Sequence, residues 1–472
     1  MASQRQSRRA FLRRSAAGMA GLWLGGALRA RAAGTERPNI VVIVMDTVRR
    51  DHLSCCGYAR PTSPFLEELA ETSRMYDMAY ATSCWTVPSH ASLFTGLYPV
   101  SHWTHWEHIR HEEGLVTLAE VLKGEGYRTI GLCENWAILP KLGLTQGFER
   151  FVPGRLVAAR RRDTCKEFED WVEQKGAEPL FAFVNLNAAH ANYNSSRQFF
   201  KLFLTDPAYE DQYSIDPSGA IIQGRNSLSP EWLKHLAEHY DAEVRYVDFQ
   251  VEQMACVLKS HGLWDSTLFI VTSDHGENLG DHGLLDHQFC LYETLVRIPL
   301  IVHYPERFPA ASHEPRPVQL VDVFPTVIEL LGLEPKAFPT QGRSLLPGRA
   351  TADREVLCEY YLHHAFTTRR GRARMAHPNA QKYNRRLKSI RVGNLKLIQG
   401  SDGRDELYDL GEDLDETRDL SAEPACANAK ARLTRLLDER IETYRLQNPP
   451  PPEALLDTDE VGEDHMRALG YL

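Results

Sequence analysis

A chain of 472 residues, 43% hydrophobic and 25% charged, has room for one large domain with a smaller unit attached and is too apolar for a disordered or fibrous protein. Its formal charge is −9, and removing the seven arginines of the first 33 residues takes it to −16. An acidic body of this kind excludes broad nucleic-acid binding, which needs a basic face.

Residues 1–33 hold those seven arginines and no Asp or Glu. Ser7-Arg8-Arg9-Ala10-Phe11-Leu12 is a twin-arginine pattern, residues 16–28 form an apolar run, and Ala30-Arg31-Ala32 has the small-x-small form of a cleavage site. The run is too short and too glycine-rich to span a bilayer. The segment therefore reads as a removable twin-arginine signal peptide, with the export machinery as partner and a periplasmic or secreted destination. That route carries folded proteins, which suits a chain that takes up a metal first. No later stretch reaches about 18 consecutive apolar residues, so no transmembrane segment is expected in the mature form. The nine cysteines are odd in number and lack zinc-ribbon spacing; most read as buried small side chains.

Residues 38–46 are a continuous β-branched run ending at Asp46, the pattern of a strand buried on both faces. Residues 64–73 read as a helix. In SCWTVPSHASLFTG (83–96) another helix starts at Thr86 or Ser89 and stops at Gly96. A helix at 115–124 and strands at 127–132 and 179–186 follow. The polar, proline-marked stretch 191–230 reads as an insertion or lid. Residues 231–260 form a long helix, 266–272 a buried strand ending at Ser273-Asp274-His275, and 298–303 a further strand. This alternation predicts an α/β fold, a doubly wound, mostly parallel sheet flanked by helices, over residues 34–350. Beyond GRSLLP (342–347), residues 351–472 read as a small C-terminal α+β subdomain. It has strands at 387–392 and 395–399, an acidic stretch, a helix at 427–444 and an extended connector at 449–452.

Open α/β sheets bind ligands beyond the carboxyl ends of their strands. Asp46, Asp274 and His275 sit at two such ends, and Thr86 stands at a helix N-terminus. Two carboxylates, an imidazole and a threonine oxygen form a ligand set for one divalent cation. Taken singly, each residue is as readily a cap or turn former; the joint pattern points to a metal site.

These pieces resemble the sulfatase family of the alkaline phosphatase superfamily. The matching segments run in family order: PNIVVIVMDTVRRDHLSCCGY (38–58), TVPSHASLFTGLYP (86–99), NAAHANY (187–193), YDAEVRYVD (240–248), TSDHGENLGDHG (272–283), YETLVRIPLIV (292–302), GRSLLP (342–347), ELYDLGEDLDETRDL (406–420) and RALGYL (467–472). The resemblance implies an alkaline phosphatase-like fold and hydrolysis of a small anionic ester, sulfate or phosphate in type.

The family's nucleophile is a Cys or Ser converted to formylglycine, followed by x-Pro-x-Arg. Pro88 sets the alignment and puts Thr86 in that slot. Cys84 has Thr86 rather than proline two residues on, and Ser89 falls after the proline. Threonine cannot form the aldehyde, so no formylglycine is expected. A hydroxyl beside a cation and a helix N-terminus is still a competent nucleophile, and threonine serves as one in phosphodiesterase and phosphotransferase branches of the superfamily. His90 replaces the motif arginine, Asp46-Thr47 an aspartate pair, and His275 an asparagine. These changes lean the site from Ca²⁺ toward Zn²⁺ or Mn²⁺ without resolving the ion.

His190 and His287 fill family slots at the substrate anion and leaving group, where either can protonate the departing oxygen. His282 is expected behind the metal ligands, and His102, His105, His108 and His111 as a solvated or pocket-rim cluster. The basic run 369–391 either steers an anionic substrate or is a solvated loop. Hydrolysis through Thr86 is the expected activity. Two alternatives stay open: transfer of the same group to an acceptor hydroxyl, and a sulfatase-fold binding protein with little turnover.

Overall fold

Asn39–Met45 (β1) is buried along its whole length, because parallel strands cover both its edges and helices both its faces. The computed structural model describes residues 37–448 except 106–107, 109–110, 113, 136, 139, 154–162, 195–196, 210–213, 216–228, 349–353 and 362–377. The segment expected to be an export signal (residues 1–33), the connector expected at 449–452, RALGYL and much of the basic run 369–391 lie outside the described residues.

After β1 come α1 (Pro64–Ala70), β2 (Arg74–Tyr76), α2 (Thr86–Thr95), α3 (Leu118–Gly124), β3 (Arg128–Cys133), β4 (Arg150–Val152) and α4 (Thr164–Glu173). Then follow β5 (Leu180–Leu186), α5 (Arg197–Phe203), α6 (Pro230–Ser260), β6 (Thr267–Thr272), β7 (Leu300–His303), β8 (Ser312–Glu314) and α7 (Val323–Leu330). The C-terminal part holds β9 (Val356–Tyr360), β10 (Leu387–Val392), β11 (Leu395–Gly400), β12 (Glu406–Asp409) and α8 (Ala427–Gln447).

The main sheet has eight strands in the order β8-β2-β7-β6-β1-β5-β3-β4. Strands β6 through β4 are parallel, and β7 joins β6 antiparallel. Side chains of β1 alternate between two cores. Ile40, Val42 and Val44 pack with α2, α3 and α7, and Val41, Ile43 and Met45 with α1, α4 and α6. The expected doubly wound, mostly parallel sheet is present, and it carries an antiparallel edge.

Several local expectations need correction. The helix expected at 115–124 begins at Leu118, because the Thr117 hydroxyl and the Glu120 carboxylate form a capping box there. The strand expected at 298–303 is interrupted at Pro299, which has no N–H for the ladder, and splits into Arg297–Ile298 and β7. The stretch 191–230 is more than a polar lid, since Phe199, Phe200 and Phe203 of α5 pack with Ala242 of α6.

The histidine cluster is not solvated. His102, His105 and His111 are buried. His102 shares a hydrogen bond with Ser92 at 3.1 Å, His111 one with Thr104 at 3.1 Å, and the His105 ring stacks on Tyr361 at 3.7 Å. Burial lowers the basicity of all three, that of His105 to about 3 and that of His111 to about 4. Their spacing of three never forms a helical face, because the short helix ending at His102 stops at Trp103 with φ 58°.

The small sheet β9-β10-β11-β12 is antiparallel, and Leu433, Leu437 and Ile441 of α8 pack on its Leu357, Ile390, Leu397 and Leu407. The described residues from Pro38 onward form a single compact unit. One link across it is Glu359 of β9, wholly buried, which accepts from the Val100 amide at 3.1 Å and the Tyr361 hydroxyl at 3.0 Å. Burial pushes its carboxyl up to about 7. The folded state therefore keeps a proton that the unfolded chain releases at lower pH. This contribution is present below the ordinary carboxyl range and is lost as pH rises through about 7. Wild type should lose about 3 kcal/mol more stability than Glu359→Gln between about pH 4 and pH 8. Thermal melts across that range check it, and parallel curves would remove Glu359 as the titrating group.

Candidate active site

The register of the central ladder assembles the site. Val44 of β1 lies opposite Thr272 of β6 and Asn185 of β5. Two residues further on, Asp46 and Asp274 therefore leave the carboxyl edge side by side, with Asn185 just behind them.

Each carboxylate spends one oxygen on the protein and leaves the other open. Asp46 Oδ2 accepts from Asn135 Nδ2 at 2.7 Å and Asn185 Nδ2 at 2.9 Å, whereas Oδ1 is buried without a hydrogen-bond partner among the described residues. Asp274 Oδ1 accepts from the amides of Thr47 at 3.2 Å and His275 at 3.0 Å, and its Oδ2 is likewise without a donor. The two asparagines are fixed in orientation. Asn135 Oδ1 accepts from the Ala137 amide, and Asn185 Oδ1 from the Asn135 amide, so each presents its NH₂ to Asp46.

His275 donates Nδ1–H to the Gly276 carbonyl at 2.9 Å, which leaves the lone pair on Nε2. Ligand atoms of Asp46, Asp274 and His275 lie within 4.8 Å of one another. Two open, buried carboxylate oxygens converging on an imidazole lone pair are costly without a cation among them. The donor set fits a divalent metal of borderline softness.

Three candidate nucleophiles separate by position. Cys84 is wholly buried in the hydrophobic core, and burial drives its thiol pKa well above the ordinary value. Ser89 donates to the Ser83 carbonyl at 3.1 Å. Thr86 is the first residue of α2 and does not cap it: the capping position is Trp85, which makes no side-chain bond. The Thr86 hydroxyl instead lies 3.4 Å from His275 Nε2 and 3.3 Å from Asn135 Nδ2.

His90, one turn further along α2, donates Nδ1–H to the Thr86 carbonyl at 2.8 Å. Its Nδ1 is 3.6 Å from Asp274 Oδ2, and its Nε2 is 3.4 Å from Asn185 Nδ2. It braces the first turn of α2 against the carboxylates rather than touching the Thr86 hydroxyl. The His287 ring lies 4.6 Å from His275 and 4.8 Å from His190, so the three imidazoles form a row leading out from Thr86. His190 donates Nδ1–H to the Ala191 carbonyl at 2.5 Å, which leaves Nε2 to exchange a proton. His282, expected behind the metal ligands, stacks on Tyr292 at 3.8 Å.

Sequence reasoning misses Asn135, Asn185 and Tyr240. The Tyr240 hydroxyl donates to the Thr47 carbonyl at 2.7 Å and accepts from the Arg49 amide at 2.8 Å, holding Thr47 at φ 60° beside the site. Asn185 carries a readable signal as the one polar residue of LFAFVNL, at the strand's carboxyl end.

Residues 38–333 match the Sulfatase family model, more than half of the chain. The chain belongs to the sulfatase family. Its residues 280–443 also match the model for the N-sulphoglucosamine sulphohydrolase C-terminal region. An N-acetylglucosamine-6-O-sulfatase of Bacteroides thetaiotaomicron is 23% identical over 533 residues, covering 93% of this chain and 92% of that protein. Two solved structures share the fold. A phosphonate monoester hydrolase of Agrobacterium radiobacter gives a TM-score of 0.70 at 20% identity, covering 87% of this chain and 96% of that one. A structure in complex with its substrate D-glucosamine-2-N,6-O-disulfate gives 0.70 at 20% identity, covering 89% and 100%. The chain is thus an ester hydrolase of the sulfatase family, in the alkaline phosphatase superfamily. No helix among the described residues is long and apolar enough to cross a membrane.

Proposed function

We propose that this sulfatase-family hydrolase is a metal-dependent enzyme that cleaves a small sulfate or phosphate-type ester with Thr86 as nucleophile. The observation that carries the reading is the Thr86 hydroxyl, 3.4 Å from His275 Nε2 at the head of α2, while Cys84 and Ser89 are committed elsewhere. Asp46, Asp274, His275 and Thr86 would hold the metal, which supplies Lewis acidity that lowers the hydroxyl pKa and offsets the substrate's charge. With its hydroxyl proton released to solvent, Thr86 Oγ1 attacks sulfur or phosphorus in line, forming a Thr86 ester as the bond to the leaving oxygen breaks. His190 or His287 delivers a proton to that oxygen. Water attacks the same sulfur or phosphorus, loses its proton to the histidine, and frees Thr86.

A sulfated sugar bound by one structural relative and the phosphonate ester chemistry of another support an anionic ester as substrate class. Metal removal tests the reading. Chelator-treated protein should lose turnover of aryl sulfate, phosphate mono- and diester or phosphonate substrates and regain it with Zn²⁺ or Mn²⁺. No turnover of any of them with any divalent ion would sink the proposal, and products carrying the group on an added alcohol would make the enzyme a transferase. The twin-arginine pattern of residues 1–33 supports export. Recovered extracytoplasmic protein that still begins at Met1 would contradict cleavage of that segment.

A further inference from the structure

We infer that Glu277, Asp286 and His287 form a second divalent-cation site beside the first. The three offer ligand atoms within 4.8 Å of one another. His287 Nδ1 lies 3.0 Å from Asp286 Oδ1 and 3.3 Å from Glu277 Oε1. Donors each about 2.1 Å from one Zn²⁺-sized ion stand about 3.0–3.4 Å apart, which the two histidine–carboxylate distances match.

A second, separate observation points to a missing positive charge. Glu277 is wholly buried, aims Oε1 at His287, and leaves Oε2 without a well-formed hydrogen bond among the described residues; the polar group beside the carboxylate is the neutral Tyr193 hydroxyl, which brings no positive charge. The Arg49 guanidinium passes nearby but binds the Glu277 backbone carbonyl, together with Asp51 and Asp281, rather than the Glu277 carboxylate. Asp46, Asp274, Glu277 and Asp286 thus face a row of histidines, and none of the four forms an ion pair with a lysine or arginine among the described residues. One divalent cation answers the Asp46–Asp274 pair, and the Glu277–Asp286 pair still lacks one.

Access is provided by Asp286, whose side chain is 23% exposed while Glu277 and His287 are closed off. Mixed carboxylate and imidazole donors select an ion such as Zn²⁺ or Mn²⁺ over Ca²⁺. With His287 engaged in this way, His190 is left as the proton donor to the leaving oxygen. The inference does not depend on Thr86 being the nucleophile, because it concerns ion binding alone.

The test counts ions. Full-length protein is stripped with chelator, reloaded with Zn²⁺ or with Mn²⁺, desalted and measured by plasma mass spectrometry against protein concentration. Wild type should hold two ions per chain, Glu277→Gln and Asp286→Asn one each, Asp274→Asn one, and Glu277→Gln/Asp274→Asn none. Wild type saturating at one ion that Glu277→Gln and Asp286→Asn retain, or Glu277→Gln and Asp286→Asn still holding two, would overturn the second site. Failure of the first site reads differently, as Asp274→Asn keeping the wild-type count while Glu277→Gln lowers it. The wild-type count needs no variant to fold, and the part-exposed Asp286 provides the milder substitution.

Discussion

Thr86→Ala should lower kcat/KM by at least about 10³-fold, about 4 kcal/mol of transition-state stabilisation, with the fold intact. The loss is large because the hydroxyl is the attacking group itself and no neighbour can replace it. Cys84 lies in the core with its thiol held protonated, and Ser89 is bonded to Ser83. Stability should change by less than about 1 kcal/mol, because Thr86 does not cap α2 and alanine suits the first turn of a helix. Thr86→Ser keeps the oxygen on the same carbon and should retain most of the activity. Ser89→Ala and Cys84→Ala should stay within about tenfold of wild type. Steady-state kinetics on the five proteins separate these outcomes. A Thr86→Ala enzyme within tenfold of wild type would transfer the attack to water or to another residue.

The second large effect is on stability. Lys396 of β11 is almost wholly buried, and its ammonium lies 2.9 Å from Glu293 and 2.8 Å from Glu416. Burial disfavours its charge, but the two carboxylates outweigh burial and raise its pKa above the ordinary value. Burial likewise pushes the Glu416 carboxyl up to about 7 against the pull of Lys396. Lys396→Met keeps the stem and removes the charge, leaving Glu416 buried without its cation and Glu293 with only the longer Arg391 pair at 3.6 Å. The expected cost is about 3–5 kcal/mol, read from urea unfolding at neutral pH. The sign with pH is definite. Without Lys396 the Glu416 carboxyl holds its proton to higher pH in the folded state, so the deficit should shrink as pH falls and that group becomes neutral. A deficit below about 1 kcal/mol, or one that grows on acidification, would show that Lys396 does not hold this junction together.

What could be read from the chain follows from where periodicity and chemistry coincide. Residues 38–46 announce a central parallel strand because both faces are apolar, and its end, Asp46, inherits a place at the ligand edge. The same logic places Asp274 and His275. Asn135 and Asn185 are harder to see, because an amide at a strand end also reads as a turn former; only the ladder register shows both aimed at one Asp46 oxygen. The spacing of three in His102, His105 and His108 suggests a helix, but Trp103 in the left-handed region ends it, and tertiary packing then buries residues that look solvated. The stretch 191–230 hides its packing for the opposite reason: three phenylalanines carry a short helix within an otherwise polar segment. The cation-poor acidic pair Glu277–Asp286 has no sequence signature at all, since it depends on which charges do not reach it.

The most direct test of the Thr86 assignment is to trap the covalent intermediate. Rapid quenching during turnover of a slow phosphate or sulfate ester, followed by proteolysis and mass spectrometry, should find the transferred phosphoryl or sulfuryl group on Thr86 itself. The same peptide from untreated protein should carry an unmodified threonine. The group on any other residue, or an aldehyde within residues 83–96, would contradict Thr86 as the nucleophile.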